Sequence, residues 1–149
     1  DEVNYIRCYL KIQQKRYRDS IHFEVCVEDG LEDYLTLKMV LQPLVENAIY
    51  HGIEPAGGSG NIVIRLYSEG ETIIFCVEDD GAGIDLAEAE KLLEHPAEGR
   101  KGFAINNVQE RIKLYFGDRY GIRFYHREGG GTRVIVCQPK QRQGERKDV

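Results

Sequence analysis

Hydrophobic positions recur along this chain with two periods, and the changes between them mark out its elements. In "DEVNYIRCYLKIQQKRY", Val3, Ile6, Leu10 and Tyr17 lie near helical spacing, and Tyr5, Tyr9 and Ile12 broaden the stripe, which predicts a first helix. "IHFEVCVED" alternates Ile21, Phe23, Val25 and Val27 with polar neighbours, the pattern of a half-buried strand. After "GLEDYLTL" comes the strongest helical pattern, in which Leu37, Val40, Leu41, Leu44, Val45, Ala48 and Ile49 form one apolar face and predict a core helix. "EPAGGSG" at 54–60 reads as a flexible loop. "NIVIRLY" and "TIIFCVED" flank "SEGE" and predict an antiparallel hairpin. "DLAEAEKLLEH" is a short polar helix stopped by Pro96. "AINNVQERIKLYFG" puts Ile105, Val108, Ile112 and Tyr115 on one helical face, with Gly117 placed to cap it. "GIRFYHREGGGTRVIVCQP" is a second hairpin with a glycine turn, and "KQRQGERKDV" a polar, disordered tail.

Two hairpins with helices segregated between them predict an α+β domain, a two-layer sandwich in which helices cover a mixed, largely antiparallel sheet. A doubly wound parallel sheet would need strands and helices in strict alternation. At 149 residues the chain suits one domain with a genuine core, and 42% hydrophobic content is too high for a disordered chain. A net charge of -5 argues against a nucleic-acid-binding surface, which needs a basic excess to neutralise phosphates. Cys8, Cys26, Cys76 and Cys137 form no CxxC pair, and three of them sit in apolar strand-like runs, so buried free thiols are expected. No run is long and apolar enough to predict a transmembrane helix, and no signal peptide is visible. The start at "DEVNY", without methionine, reads as a fragment of a longer protein.

Several residues invite a chemical role. Asp79 shares the parity of Ile73, Phe75 and Val77, so it either points inward, where a buried carboxylate needs donors, or begins the turn "DDGAGI" and caps its own backbone. Asp80 points the other way, as a replaceable neighbour. Gly81 and Gly83 imitate a dinucleotide fingerprint, but Leu86 holds the third position and the strand belongs to a hairpin. No P-loop motif is present. Asn47 lies on the edge of the apolar helical stripe, four residues after Pro43 and four before His51, and reads as either a functional or a solvated side chain. Pro43 either kinks that helix or marks where its regular part starts. Gly99, Arg100, Lys101 and Gly102 precede a helix, an arrangement that suits an anion but also fits an ordinary loop.

In order along the chain stand "LVENAIYHGI", "VEDDGAGI", "GFAINNVQERI" and "GGGT". The set resembles the four sequence boxes of the ATP-binding domain of sensor histidine kinases, most closely the LytS/YesM type, in which "LQPLVENAI" and "NVQERI" have near-identical counterparts. The resemblance spans essentially the whole chain. It implies the Bergerat ATP-binding fold, with residues 1–20 as a helix linking to an upstream dimerisation and phosphoacceptor domain, 21–139 as the ATP-binding domain and 140–149 as the tail. It implies that Asn47 binds the Mg²⁺ that bridges the ATP phosphates, that His51 lies beside the nucleotide, and that Asp79 accepts the adenine amino proton. Gly81 and Gly83 would let backbone approach the base. Residues 86–100 would form a lid, Arg100 and Lys101 would meet phosphates, Gly102 would open the helix, Asn107 would line the pocket, and Thr132 would support the adenine end.

This sequence departs from the family pattern at three places. Ala104 replaces the second glycine before the helix, Tyr50 stands where many histidine kinases have lysine, and Pro43 stands where the gyrase-like hydrolytic relatives place a general base. The function implied is a kinase module that binds Mg-ATP and passes the γ-phosphoryl group to a histidine outside this chain, and thence to a response regulator. The full-length protein would be a homodimer, and this a cytoplasmic domain of a membrane-anchored sensor. The alternative is a catalytically weak nucleotide-binding or scaffold module of the same fold.

Overall fold

The computed structural model describes residues 2–17, 20–31, 40–94 and 103–140. Helix α1 spans Glu2–Arg16, strand β1 Ile21–Val27 and helix α2 Leu41–Asn47, which runs on as a π-helical segment, Ala48–Ile53. Strands β2 (Gly60–Glu69) and β3 (Thr72–Asp79) form the first hairpin. Helices α3 (Leu86–Glu94) and α4 (Phe103–Phe116) follow, then the hairpin of β4 (Gly121–His126) and β5 (Thr132–Pro139). The element order is the one the periodicity predicts; the π-helical turn is the addition.

The five strands are ordered β1-β2-β3-β5-β4, with β1 parallel to β2 and every other pair antiparallel. The expected mixed, largely antiparallel α+β sandwich is therefore the fold. The parallel pair arises because the chain between β1 and β2 passes through α2, whereas the other connections return directly across the sheet or enter from α4. On one face Ile62, Ile64, Phe75, Val77, Val134 and Val136 meet Leu44, Val45, Ile49 and Ile53 of the α2 and π segments. Ile105, Val108 and Ile112 of α4 join the same core, as do Ile6 and Leu10 of α1. Burying each of these large side chains contributes roughly 1.5–3 kcal/mol before conformational entropy is subtracted.

Periodicity overreaches at a few positions. Tyr115 is 55% exposed, and Phe116 packs against the core instead. From Ile112 the apolar meridian of a 3.6-residue helix falls nearer to the fourth following residue than the third. On α1, Tyr5 and Ile12 are likewise exposed, while Tyr9 and Tyr17 pack against the core. The Tyr17 hydroxyl donates to Glu54 Oε1 at 2.6 Å, tying the end of α1 to the end of the π segment. The cysteines divide: Cys76 is buried and Cys137 half-buried, but Cys8 and Cys26 are exposed. Cys26 alternates with the inward residues of β1, so a strand position alone did not bury it. Leu37 lies outside the described residues. In the structure α2 begins at Leu41, which places Pro43 in the first turn, where its missing N–H costs no helical hydrogen bond.

Candidate functional site

Asp79 is the last residue of β3, the middle strand of the sheet, paired with Ile62 on one side and Thr132 on the other. It points into the core-facing layer and is only 2% exposed. The two readings of this residue hold together, because its Oδ1 also accepts the Gly81 N–H at 3.0 Å. Burial pushes the carboxyl up from its ordinary 3.8 to about 6. The Gly81 and Thr132 backbone N–H groups and the Arg127 charge oppose that rise, and the neighbouring Asp80 charge adds to it.

Three glycines allow close packing of backbone around Asp79. A Cβ on Gly52 would overlap the Asp79 carboxylate itself, one on Gly81 would overlap the Gly52 carbonyl, and one on Gly131 would overlap the Asp79 carbonyl oxygen. Gly52 comes into place through the π-helical segment that follows Asn47. There the Glu54 N–H reaches back to the Ile49 carbonyl at 2.8 Å, five residues away, which widens the turn. The Ala82 N–H then donates to the Gly52 carbonyl at 3.0 Å, pinning the glycine loop to the helix. Gly83 adopts φ +79°, a left-handed turn that glycine adopts without strain.

Asn47 is buried at 7% exposure at the end of α2, and His51 is half-buried one turn on, within the π segment. Thr132 is buried beside Asp79 at the start of β5. Asn47, His51, Asp79, Gly81, Gly83 and Thr132 thus belong to neighbouring pieces of α2, the π segment, β3, the glycine loop and β5. Arg100, Lys101 and Gly102, and the lid from residue 95 onward, lie outside the described residues. Asn107 is exposed, while its neighbour Asn106 is 4% exposed and donates to the Leu93 carbonyl at 2.6 Å, joining α4 to α3.

Asp80 is more than a replaceable neighbour. Its two carboxylate oxygens accept the Asn61 backbone N–H at 2.7 Å and side-chain amide at 2.8 Å, fixing the start of the loop to β2. These bonds hold its carboxyl below the usual range, although partial burial works against them. Sequence reasoning missed Gly52 and Gly131 as site residues. The available signals were a glycine inside a helical pattern, which costs about 1 kcal/mol unless it serves a purpose, and a third glycine in a hairpin turn.

Two open depressions, of about 510 and 320 Å³, are lined respectively by α3, α4 and β4 and by the glycine loop with the β4–β5 turn. Neither is lined by Asn47 or Asp79. What marks the site is therefore the buried carboxylate and the glycine backbone packed close to it.

The same architecture occurs in the catalytic domain of histidine kinase ThkA, with a TM-score of 0.70 and 21% identity over 95% of this chain and 96% of that one. The mycobacterial sensor histidine kinase MprB matches with a TM-score of 0.65 and 18% identity, covering 94% of this chain and 95% of that one. At those identities the likeness is one of fold alone. Residues 32–142 match the model of the histidine kinase-, DNA gyrase B- and HSP90-like ATPases, and the chain belongs to that family. Among curated relatives, the sensor histidine kinase YesM of Bacillus subtilis (strain 168) is 33% identical over 139 residues, 93% of this chain and 23% of the relative. YpdA, a sensor histidine kinase of Escherichia coli (strain K12), is 33% identical over 95% of this chain and 24% of its own length. The chain thus spans about a quarter of the relatives it matches.

Proposed function

We propose that this chain is the ATP-binding kinase module of a two-component sensor histidine kinase, with Asp79 as the acceptor for the adenine amino group. The observation that carries the proposal is a carboxylate 2% exposed at the end of the middle strand, with Gly52 packed so closely that a Cβ there would overlap it. A buried carboxylate with its affinity for protons raised is a strong acceptor for a donor brought by a ligand. A flat purine amine supplies such a donor.

Asn47 fits the metal role by chemistry. Its amide carries a hard oxygen, which magnesium favours. Among the described residues no three His, Cys, Asp or Glu side chains are grouped to hold a metal ion. A magnesium ion here would take Asn47 as one ligand and the remainder from phosphate oxygens and water, neutralising charge on the phosphates. Gly81 and Gly83 would let backbone pass the base, Thr132 would support its far side, and His51 would flank the nucleotide. Arg100 and Lys101 would meet the phosphates, Gly102 would open α4, and Asn107 would line the pocket.

Pro43 stands where hydrolytic members of the wider family carry their general base, so water at the γ-phosphate lacks that base. The γ-phosphoryl group then passes to an imidazole nitrogen of a histidine in an upstream domain, ADP departs, and a response regulator receives the group afterwards. The chain's contribution is to hold and orient the nucleotide. The full-length protein is read as a membrane-anchored homodimer with this domain in the cytoplasm; among the described residues no helix is long and apolar enough to cross a membrane. The test is incubation of the chain with γ-labelled ATP and its upstream helical domain. Label on histidine supports the kinase, and nucleotide binding without label favours the scaffold of the same fold.

A further inference from the structure

The main core lies on the helix-covered face of the sheet; the opposite face has a cluster of its own. Ile74, Cys76 and Ile135 pack there with Tyr67 and Cys137. Beside them three guanidinium groups converge on one carboxylate. Arg65 Nη1 lies 3.1 Å from Glu78 Oε1, Arg133 Nε 3.7 Å from the same oxygen, and Arg127 Nε 3.9 Å from Oε2. Only the first is within hydrogen-bond reach. One carboxylate shared by three cations leaves an excess of two positive charges, on a chain whose net charge is -5. The side chains of Arg65, Arg127 and Arg133 remain 47%, 36% and 40% exposed. Arg133 also lies 5.6 Å from the ring centroid of Tyr125, which is itself 40% exposed. Exposed Arg123 stands opposite Ile135 in the β4–β5 register and adds a further cation to this face.

We propose that this open face is a docking surface for an acidic segment of a partner protein, laid across Arg65, Arg123, Arg127 and Arg133 beside Tyr125. The guanidinium fork matches a carboxylate in shape and charge, and an exposed tyrosine gives such a segment a flat apolar contact. The boundaries of the patch select a short acidic segment over a long polyanion. Exposed Glu24 on β1 and Glu69 at the end of β2 share the outward parity and flank the arginines. A nucleic acid continuing past the patch meets those carboxylates and the negative body beyond, whereas a short segment places its charge on the arginines alone. Arg65, Arg123 and Arg133 lie outside the proposed nucleotide site, whereas Arg127 neighbours the glycine loop and Asp79, so the test variants leave Arg127 unchanged.

The test uses the whole chain with a fluorescein-labelled decaglutamate peptide, with decalysine and a ten-nucleotide oligothymidylate as parallel probes. Anisotropy should rise with decaglutamate at low salt and fall back as salt is added. Arg65→Gln/Arg133→Gln should weaken this binding at least tenfold while adenine-nucleotide affinity is unchanged. Should that pair fail to fold, Arg123→Glu at an exposed position should give a loss in the same direction. Amide chemical-shift changes should map to β3, β4 and β5 on the open face. Absence of decaglutamate binding, equal affinity in the folded variants, or tighter binding of oligothymidylate or decalysine would overturn the proposal.

Discussion

Replacing Asp79 with asparagine separates what this residue costs the fold from what it offers a ligand. Burial lifts the carboxyl from 3.8 to about 6. Between those values the folded chain keeps a proton that the unfolded chain has released, so stability falls as pH rises through the window and stays lowered above it. A shift of that size corresponds to about 3 kcal/mol, at ~1.4 kcal/mol per pH unit. Asparagine is nearly isosteric, keeps an oxygen for the Gly81 N–H and never ionises. Asp79→Asn should therefore match the parent near pH 4 and exceed its stability by up to about 3 kcal/mol at neutral pH and above. That is a large share of the roughly 5–15 kcal/mol that holds a domain folded. Urea denaturation followed by circular dichroism at a series of pH values measures it directly. A stability difference that does not change with pH would refute the account of a strained, buried carboxylate. The same variant should lose adenine-nucleotide binding by calorimetry, and unchanged affinity would remove Asp79 as the adenine acceptor.

Other expectations follow from neighbouring contacts. Gly81→Ala drives a methyl into the Gly52 carbonyl, a backbone group that cannot swing aside, so it should cost about 1–3 kcal/mol in denaturation and remove nucleotide binding. Asp80→Ala breaks both bonds to Asn61 and should lower stability by about 1–2 kcal/mol; a neutral result would return Asp80 to the status of a spare surface acid. Nucleotide binding to the parent chain should weaken on calorimetry as pH falls below about 6, where Asp79 takes up its proton, and affinity unchanged between about pH 7 and about pH 5 would count against Asp79 as the acceptor. The isolated chain should hydrolyse ATP slowly, and rapid phosphate release in a coupled assay would point instead to a hydrolytic ATPase.

Amphipathic periodicity located nearly every described element because a sheet with one helix-covered face imposes alternation on its strands and a stripe on its helices. It failed where geometry is finer than a stripe. Tyr115 and Phe116 are adjacent and both aromatic, and only the phase of α4 over its full length decides which one packs against the core. Cys26 carries the composition of a buried strand but stands on the outward parity of β1. Within the site, parity left Asp79 open between an inward carboxylate and a turn cap, and the four boxes in order brought Asp79, Asn47, His51 and Thr132 into one candidate set.

The chain's own letters determined the α+β architecture, the antiparallel hairpins and the carboxylate at the end of β3, because each depends on short-range pattern. The tertiary structure alone decided that Gly52, Gly81 and Gly131 close around Asp79, since they come from a helix, a loop and a hairpin far apart in sequence. It also gathered Arg65, Arg127 and Arg133 around Glu78 from three different places in the chain. Close approach of backbones and sharing of one charge among distant side chains are properties of pairing and packing. No local period records them.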